Sequence, residues 1–414
     1  MELPINRALP HLMHIDLNSC FATVAQQAYS RLRGKPLVVA AYETPRAIIL
    51  APSIEAKRFG IKTGMPVYEA QKLCPAIIIR QPDVGLIRDV HEKFYAICTT
   101  YAPDVSPKSI DEFVVDFSTM GRVEKRELPA IGGEIKRRLR QEVGDWLLCN
   151  VGIAPNRFLA KTAAGLHKPD GLDVITHENL LAVYHSLTLL DLPGINVRYQ
   201  ARLNTHRIFT PLDFFHASAL TLKKQVFQSI VGWLWYQRLR GWEVDHVDFQ
   251  RKTYGQQYAL GKKTNDPRQL SRLLMKLCEK MGRRLRRAGC VSHGIHVGCR
   301  QADGTYWHTG KKTHGALYTT AELYREAQYI LNERPKEPVV TQLSVHCYDL
   351  EQSSAAQQSL FDLSDKRRAV ADALDNINDR YGEFTIAPAR MLDMDDLILD
   401  RIAFGKGGLS FYQE

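Results

Sequence analysis

Three acidic residues stand where the chemistry of this chain is easiest to read. Asp16 lies near the end of an apolar run, His11 to Leu17, and Asp111 and Glu112 sit together in Ser109–Phe117, a stretch rich in β-forming residues. Carboxylates among apolar strand residues are costly unless they are paired or bind a cation. Hard cations such as magnesium take oxygen ligands, usually one or two carboxylates plus substrate phosphates. Two such ions about 4 Å apart can activate a hydroxyl and stabilise both oxygens of an in-line phosphoryl displacement. Adjacent residues on an ideal strand point to opposite faces, so Asp111 and Glu112 reach one metal pair only near a bend. On spacing alone, the three also read as ordinary strand-end acids.

Other chemistries fit less well. A P-loop needs GxxxxGK followed by Ser or Thr. Gly261-Lys262-Lys263-Thr264 and Gly310-Lys311-Lys312-Thr313 each have a second Lys in that place, and neither has the glycine five positions earlier. No GxSxG nucleophile elbow is present. The eight cysteines form no CxxC, so neither a disulfide framework nor an ordinary zinc finger is indicated. Cys290, His293, His296 and Cys299 recur every third residue, a spacing that approximates one face of a helix. Internal Gly294 and Gly298 with interleaved Val and Ile favour a strand instead, and there Cys290 and His296 turn away from His293 and Cys299. A tetrahedral zinc site is then the weaker reading.

The elements that must position the acids follow from pattern. His11 to Leu17 reads as a buried strand, and a helix begins at Phe21 after Asn18 or Ser19 as a cap. Strands are expected at 36–41, 47–50 and 76–79, with short helices after Pro52 and from Pro66 to Leu73. Val90, Phe94, Ile97 and Tyr101 keep helical spacing over 86–101. A helix over 131–143, a strand over 147–153 and a helix containing 157–164 complete an α/β region with a small inserted lobe. From Leu187 to Trp242 helical patterns dominate. Residues 254–350 alternate again: strand 254–260, a long basic helix 267–288, strand 292–300, helix 321–331 and strand 339–348.

The net charge of +10 fits a polyanionic partner. Its distribution says more. Between Arg251 and Arg300 only Asp266 and Glu279 oppose a dense run of Lys and Arg concentrated in Arg268–Arg287. That face reads as a phosphate-tracking surface, with a solvated helix face as the plain alternative. No apolar run approaches the roughly 20 residues that span a bilayer, and the first residues lack the features of a secretion signal. A cytoplasmic protein without membrane association is expected.

Three motifs, in order, carry a resemblance. His14-Ile15-Asp16-Leu17-Asn18-Ser19-Cys20-Phe21, then Ser109-Ile110-Asp111-Glu112, then Val151-Gly152-Ile153-Ala154-Pro155-Asn156-Arg157-Phe158-Leu159-Ala160-Lys161 followed by Lys168-Pro169-Asp170-Gly171, resemble the three catalytic motifs of Y-family translesion DNA polymerases. The resemblance covers roughly residues 10 to 350. It implies a multidomain α/β right hand: a palm at 1–34 and 81–185, small fingers at 35–80, a helical thumb at 186–250 and an α/β little finger at 251–350. It implies template-directed, low-fidelity DNA synthesis past damaged bases, without proofreading, on primer-template DNA and deoxynucleoside triphosphates. Asp16, Asp111 and Glu112, with the Leu17 carbonyl, would hold two magnesium ions, or manganese in their place. Phe21 would be the steric gate against a 2′-hydroxyl. Lys161 would meet the triphosphate, with Cys20 and Lys57 also at the nucleotide.

The small lobe departs from the family. Ile54 and Lys57 replace a Tyr and an Arg that grip triphosphate in many members. Lys57 restores charge but not a bidentate fork, a departure leaning toward the UmuC side of the family rather than the polymerase IV side. Leu192-Pro193-Gly194-Ile195 has the form of a helix-hairpin-helix turn whose amides, at Gly194 and Ile195, bind a DNA phosphate, although it also reads as a plain loop. Lys262 and Lys263 join the DNA-binding set. After a polar linker, Gln357, Leu360 and Phe361 of Gln357-Gln358-Ser359-Leu360-Phe361 resemble a bacterial sliding-clamp motif within a tail, 351–414. Two other readings stand beside this one: a catalytically inactive DNA-binding accessory subunit, and a different two-metal enzyme such as a nuclease.

Overall fold

A computed structural model describes residues 3–121, 127–246, 251–353, 364–394 and 397–398. The chain divides into two units that part after Val247. The first unit holds strands β1 (Leu12–Leu17), β2 (Leu37–Ala40), β3 (Ile49–Pro52), β4 (Ile78–Arg80), β5 (Asp104–Pro107), β6 (Glu112–Asp116), β7 (Cys149–Ala154) and β8 (Leu172–Val174). They form a five-stranded sheet in the order β5-β6-β1-β7-β8 and a three-stranded sheet in the order β3-β2-β4.

β1 lies at the centre, antiparallel to both β6 and β7, so both of its edges are paired, and core residues cover both of its faces. Met13, Ile15 and Leu17 join one core cluster with Phe94 and Phe113. Leu12 joins another with Val114, Ala154 and Leu159. This explains why the run is apolar throughout rather than alternating. The strand expected from Ser109 begins at Glu112 instead, which leaves Asp111 in the bend before it. The short strands β5 and β8 have no sequence signal of their own, being three or four residues completed by pairing. The three-stranded sheet carries a separate small core, including Val38, Ile49, Ile61 and Val67. The region 187–242, read as helical, holds helices Val197–Asn204, Pro211–His216 and Ile230–Arg238, preceded by Leu180–Ser186.

The second unit holds β9 (Thr253–Thr264), β10 (Cys290–Gln301), β11 (Tyr306–Leu317) and β12 (Val340–Gln352) in the order β11-β10-β12-β9. Helices Pro267–Arg287 and Thr320–Asn332 pack on one face. β11 has no counterpart in the sequence reading: its glycines, lysines and histidines hide a strand that β10 recruits.

Two expectations are corrected here. Cys290 and Cys299 both enter the core, although strict alternation would set them on opposite faces. His293 pairs with Glu351 and His296 with His308. Among the described residues no group of three or more His, Cys, Asp or Glu is gathered for a metal. The second correction concerns the basic helix. It is not an open phosphate-tracking face, because the C-terminal helix Ser364–Tyr381 and the residues after it cover much of it. Arg286 reaches both oxygens of Asp375 at 2.6 and 3.0 Å. Arg283 and Arg287 meet Asp379 at 2.7 and 2.8 Å. Lys276 and Lys280 donate to the carbonyls of Met394 and Ile398 at 2.5 and 2.9 Å. Residues 364–394 and 397–398, which carry no motif, are thus integral to this unit. Gln357, Leu360 and Phe361 lie outside the described residues.

Candidate active site

The register of the central sheet does the first part of the work. Asp16 pairs with Glu112 across β1 and β6, and the Leu17 amide donates to the Asp111 carbonyl at 2.9 Å. The two strand ends therefore hold Asp16, Asp111 and Glu112 together. The bend at Asp111 releases it from the alternation that would otherwise set it opposite Glu112. Ser109 Oγ donates to Asp111 Oδ1 at 2.5 Å. His91, on the helix Val84–Thr99, fixes the bend from beneath: its Nδ1 lies 2.8 Å from the Ile110 carbonyl and its ring stacks on Phe113 at 4.9 Å.

A second set of elements brings cations to the acids. The helix Arg157–Leu166 lies so close to β7 that a Cβ on Gly152 would collide with the Ala160 carbonyl and the Ala164 amide. Only glycine permits that approach, which accounts for the Val-Gly-Ile segment. Asn156 caps the helix by accepting from the Leu159 amide at 2.8 Å. On this helix Lys161 Nζ donates to both oxygens of Glu112, at 2.8 and 2.7 Å. Lys168 pairs with Asp16. It is placed there by amides: Asn18 Nδ2 donates to Asn150 Oδ1 at 2.8 Å, Asn150 Nδ2 to the His167 carbonyl at 3.0 Å, and the Asp170 amide to Asn18 Oδ1 at 2.8 Å. The sequence reading quoted Lys168 and His14 as parts of motifs without a role and took Asn18 or Ser19 as a helix cap, whereas Ser19 at the cap position makes no side-chain cap bond and Asn18 instead positions the Lys168 segment; Asn150 and His91 carried no signal.

The electrostatics follow. Burial pushes the Asp111 carboxyl up, and the charges of Asp16 and Glu112 add to that, while the bond from Ser109 opposes it. Like charges crowd here. His14 is held neutral at about 3, first by burial and then by Lys161 and Lys168; its Nε2 lies 3.8 Å from Glu112. Burial raises the Cys20 thiol, and the charges of Asp111 and Asp16 add to the rise. Burial lowers Lys57, Lys168 lowers it further, and Asp16 opposes them.

Carboxylates are the donors that hard divalent cations take, and these three lie at adjoining strand ends, but as they stand Glu112 and Asp16 are turned to Lys161 and Lys168 and Asp111 to Ser109, so the three are not gathered as a ready metal group. Each acid meanwhile rests on a lysine or a hydroxyl.

The remaining sequence-predicted residues are placed as follows. Phe21, on the helix Cys20–Ala28, is buried in the palm-side core and borders a cavity of about 480 Å³ shared with Tyr29, Arg80 and Leu86. Gly194 adopts φ +93°, a left-handed conformation suited to glycine, with the Trp235 ring 3.5 Å from where a Cβ would stand. Ile195 is buried, and its amide already donates to the Leu192 carbonyl. Asn196 caps the next helix through the amides of Arg198 and Tyr199. Lys262 and Lys263 are exposed at the irregular end of β9.

Comparison with known proteins settles the family. Residues 15–165 match the impB/mucB/samB family and residues 251–360 match its C-terminal domain. The chain is 31% identical over 399 residues to a DNA polymerase IV of Pelotomaculum thermopropionicum, covering 95% of this chain and 98% of that one. The chain belongs to the Y family of DNA polymerases. A DNA polymerase IV of Moorella thermoacetica is 30% identical over 378 residues, covering 90% of this chain and 93% of its own. Solved Y-family structures share the fold: a Y-family DNA polymerase chimera has a TM-score of 0.72 at 23% identity, covering 82% of this chain and 98% of its own. DinB from Sulfolobus solfataricus has a TM-score of 0.54 at 22% identity, covering 81% and 98%. The departure at Ile54 and Lys57, which leaned toward the UmuC side, thus occurs in a chain whose relatives here are named DNA polymerase IV. The family's right-hand architecture agrees with the mixed sheets, helical region and separate second unit described above.

Proposed function

We propose that Asp16, Asp111 and Glu112 are the catalytic carboxylates of a Y-family DNA polymerase that extends primers past damaged template bases. The observation that supports this most directly is the convergence of the three acids at the β1 and β6 ends, each matched by a polar or cationic partner. In this reading the three side chains and the Leu17 carbonyl hold two magnesium ions. When bound, these ions supply Lewis acidity at the primer 3′-oxygen and the triphosphate.

The chain's own residues do the rest. In the transfer, the primer oxygen forms a bond to the α-phosphorus, the bond to the bridging oxygen breaks, and pyrophosphate leaves. Lys161 and Lys168 stand beside the acids as counter-ions to the triphosphate, where negative charge accumulates. Lys57 adds charge from the small lobe, and its lowered proton affinity marks it as partly desolvated. Phe21 lies at the first turn of the helix that follows β1, next to Cys20, and serves as the gate beneath the sugar. The Gly194 turn holds a DNA phosphate, Lys262 and Lys263 of the second unit bind DNA on their own account, and Gln357, Leu360 and Phe361 engage a sliding clamp. The palm, fingers, thumb and little finger take the boundaries given above, except that residues 364–394 and 397–398 belong with the little finger. No described helix is long and apolar enough to cross a membrane, and the site of action is cytoplasmic.

Extension of a primed template with four deoxynucleotides and magnesium, wild type against Asp111→Ala, tests the assignment. Extension lost in the variant with DNA binding intact is expected; equal extension by both would overturn it. Phe21→Ala is expected to admit ribonucleotides, and unchanged sugar discrimination would remove the gate from Phe21.

A further inference from the structure

Asn156 does more than cap a helix. Its Oδ1 accepts from the Leu159 amide at 2.8 Å, while Nδ2 donates to two carbonyls, Arg238 and Trp242, both at 2.9 Å. Those carbonyls flank the turn at 239–241 that ends the helix Ile230–Arg238. The residue is buried, with all of its polar capacity engaged. Ser, Thr and Asp cap a helix about as well, but among these residues only Asn carries two donor hydrogens beside its capping oxygen. The next residue reaches the same region. The Arg157 amide donates to Glu243 Oε2 at 2.9 Å, and its guanidinium meets that carboxylate at 3.1 Å.

The same turn is also held by the start of the chain. The Asn6 amide donates to the Arg240 carbonyl at 2.8 Å and its Nδ2 to the Gly241 carbonyl at 2.9 Å. Trp242 Nε1 donates to the Pro4 carbonyl at 2.9 Å. Gly241 takes φ +82°, and a Cβ there would stand 3.3 Å from Pro155 Cγ and 3.5 Å from Asn6 Cβ. From this joint a packed path runs in two directions. The Trp235 ring meets Phe158 edge-on, with centroids 5.4 Å apart, and lies 3.5 Å from where a Cβ on Gly194 would stand. Phe158 shares the helix Arg157–Leu166 with Lys161, which grips Glu112.

We infer that Asn156 is a positioning residue that couples the hold on primer-template DNA to the hold on the incoming triphosphate. The inference rests on the polymerase reading, which puts a DNA phosphate at the Gly194 turn and triphosphate at Lys161. The path between them is continuous packing and hydrogen bonding. DNA that fixes the helix Ile230–Arg238 therefore also fixes the start of the helix that carries Lys161, and nucleotide at Lys161 does the reverse. By linkage the two effects are equal in free energy. A purely structural role needs less. Phe158 on Trp235 already joins the two helices, and a serine would serve as the cap. Neither calls for a buried amide with both hydrogens committed to the two ends of one turn.

The test measures the affinity of the full chain for a primed template whose primer ends in a dideoxynucleotide. Magnesium is present throughout, and the next complementary deoxynucleoside triphosphate is present or absent. Wild type is expected to bind this DNA on the order of 10-fold tighter with the nucleotide than without it. Asn156→Ser keeps a capping oxygen and gives up the bonds to Arg238 and Trp242. It is expected to reduce that tightening about fivefold, with DNA affinity in the absence of nucleotide close to wild type. Asn6→Ala loosens the same turn without touching a helix cap and gives a smaller reduction. It keeps the inference open to refutation should Asn156→Ser melt early, since unchanged tightening in Asn6→Ala then overturns it. Full tightening in both folded variants overturns the coupling. So does an equal loss of DNA affinity with and without nucleotide, the mark of a residue that only shapes the thumb. Primer extension by wild type separates the two readings. Extension intact with the tightening unmoved in the variants sinks the coupling alone. A wild type that neither extends primers nor binds DNA more tightly with nucleotide sinks the polymerase reading with it.

Discussion

Two clusters of opposite charge in this chain are built from similar groups and differ in how they are held. In the first unit, Lys161 and Lys168 pair with Glu112 and Asp16, and the two lysines are 43% and 46% exposed. In the second unit, Arg283, Arg286 and Arg287 pair with Asp375 and Asp379, and the Arg286 side chain is only 4% exposed. An ammonium on a flexible, half-exposed stem is a compact charge that other cations can replace. A guanidinium buried beside a carboxylate and gripping both its oxygens is fixed in place. The palm cluster is therefore arranged for exchange, and its crowded carboxylates cost stability. The second cluster fastens one helix to another, and its charges contribute to the fold.

That contrast can be broken or sharpened by substitution. The largest effect is expected from Asp111→Asn, which should lower extension on the order of 10³-fold by removing several kcal/mol of transition-state stabilisation. Melting in the absence of metal should stay level or rise, since a crowded like charge is gone. A marked fall in melting temperature would show that the site is as structural as the fastening. Arg286→Ala should do the reverse. It leaves Asp375 with only the longer contact to Arg283, at 3.6 Å, and should cost about 2 kcal/mol of second-unit stability by denaturant titration. Extension measured well below the new midpoint should change little.

Lys161→Ala should reduce kcat/KM about 10-fold to 100-fold, through loss of one charge-assisted contact to the triphosphate. Its stability change should stay below about 1 kcal/mol, as for other half-exposed pairs. A larger loss of stability would erase the distinction between the clusters. The smallest expected effect is on pH dependence. Burial lowers His91, with its bond to the Ile110 carbonyl opposing, so the folded state binds a proton less readily than the unfolded chain does. The stabilisation is full above the unfolded value near 6.5 and is lost as pH falls toward the folded one, by at most about 1.4 kcal/mol per pH unit. Chemical denaturation between pH 7.5 and 5 should show this slope in wild type and a flatter one in His91→Gln.

Much of the candidate site was legible because its parts are local. Asp16 in a buried run, the Asp-Glu pair among β-formers and the segment around Gly152 each sit within a dozen residues, where strand and helix patterns are strong. The bend that frees Asp111 was also implied, since two adjacent acids cannot otherwise share a site. What stayed hidden was distant or silent in pattern. Lys168 and Asp16 are 152 positions apart. β11 alternates glycine, lysine and histidine without an apolar face strong enough to show. Cys290 entered the core together with Cys299, against the alternation that the spacing implied. The basic helix was misread for a similar reason: a charge run announces its sign but not its partner, and the carboxylate that Arg286 meets stands 89 positions away.

The sequence by itself thus determined the three acids, their order, the strands that carry them and the family to which they belong. These depend on residue type and short spacing, which the backbone converts directly into local geometry. Only the tertiary structure decided which lysine faces which acid, that residues 364–394 and 397–398 cover the basic helix, and that Asn156 and the first residues of the chain meet at one turn. Long-range pairing is set by strand register and helix packing, and those follow from the burial of the whole core rather than from any segment read alone.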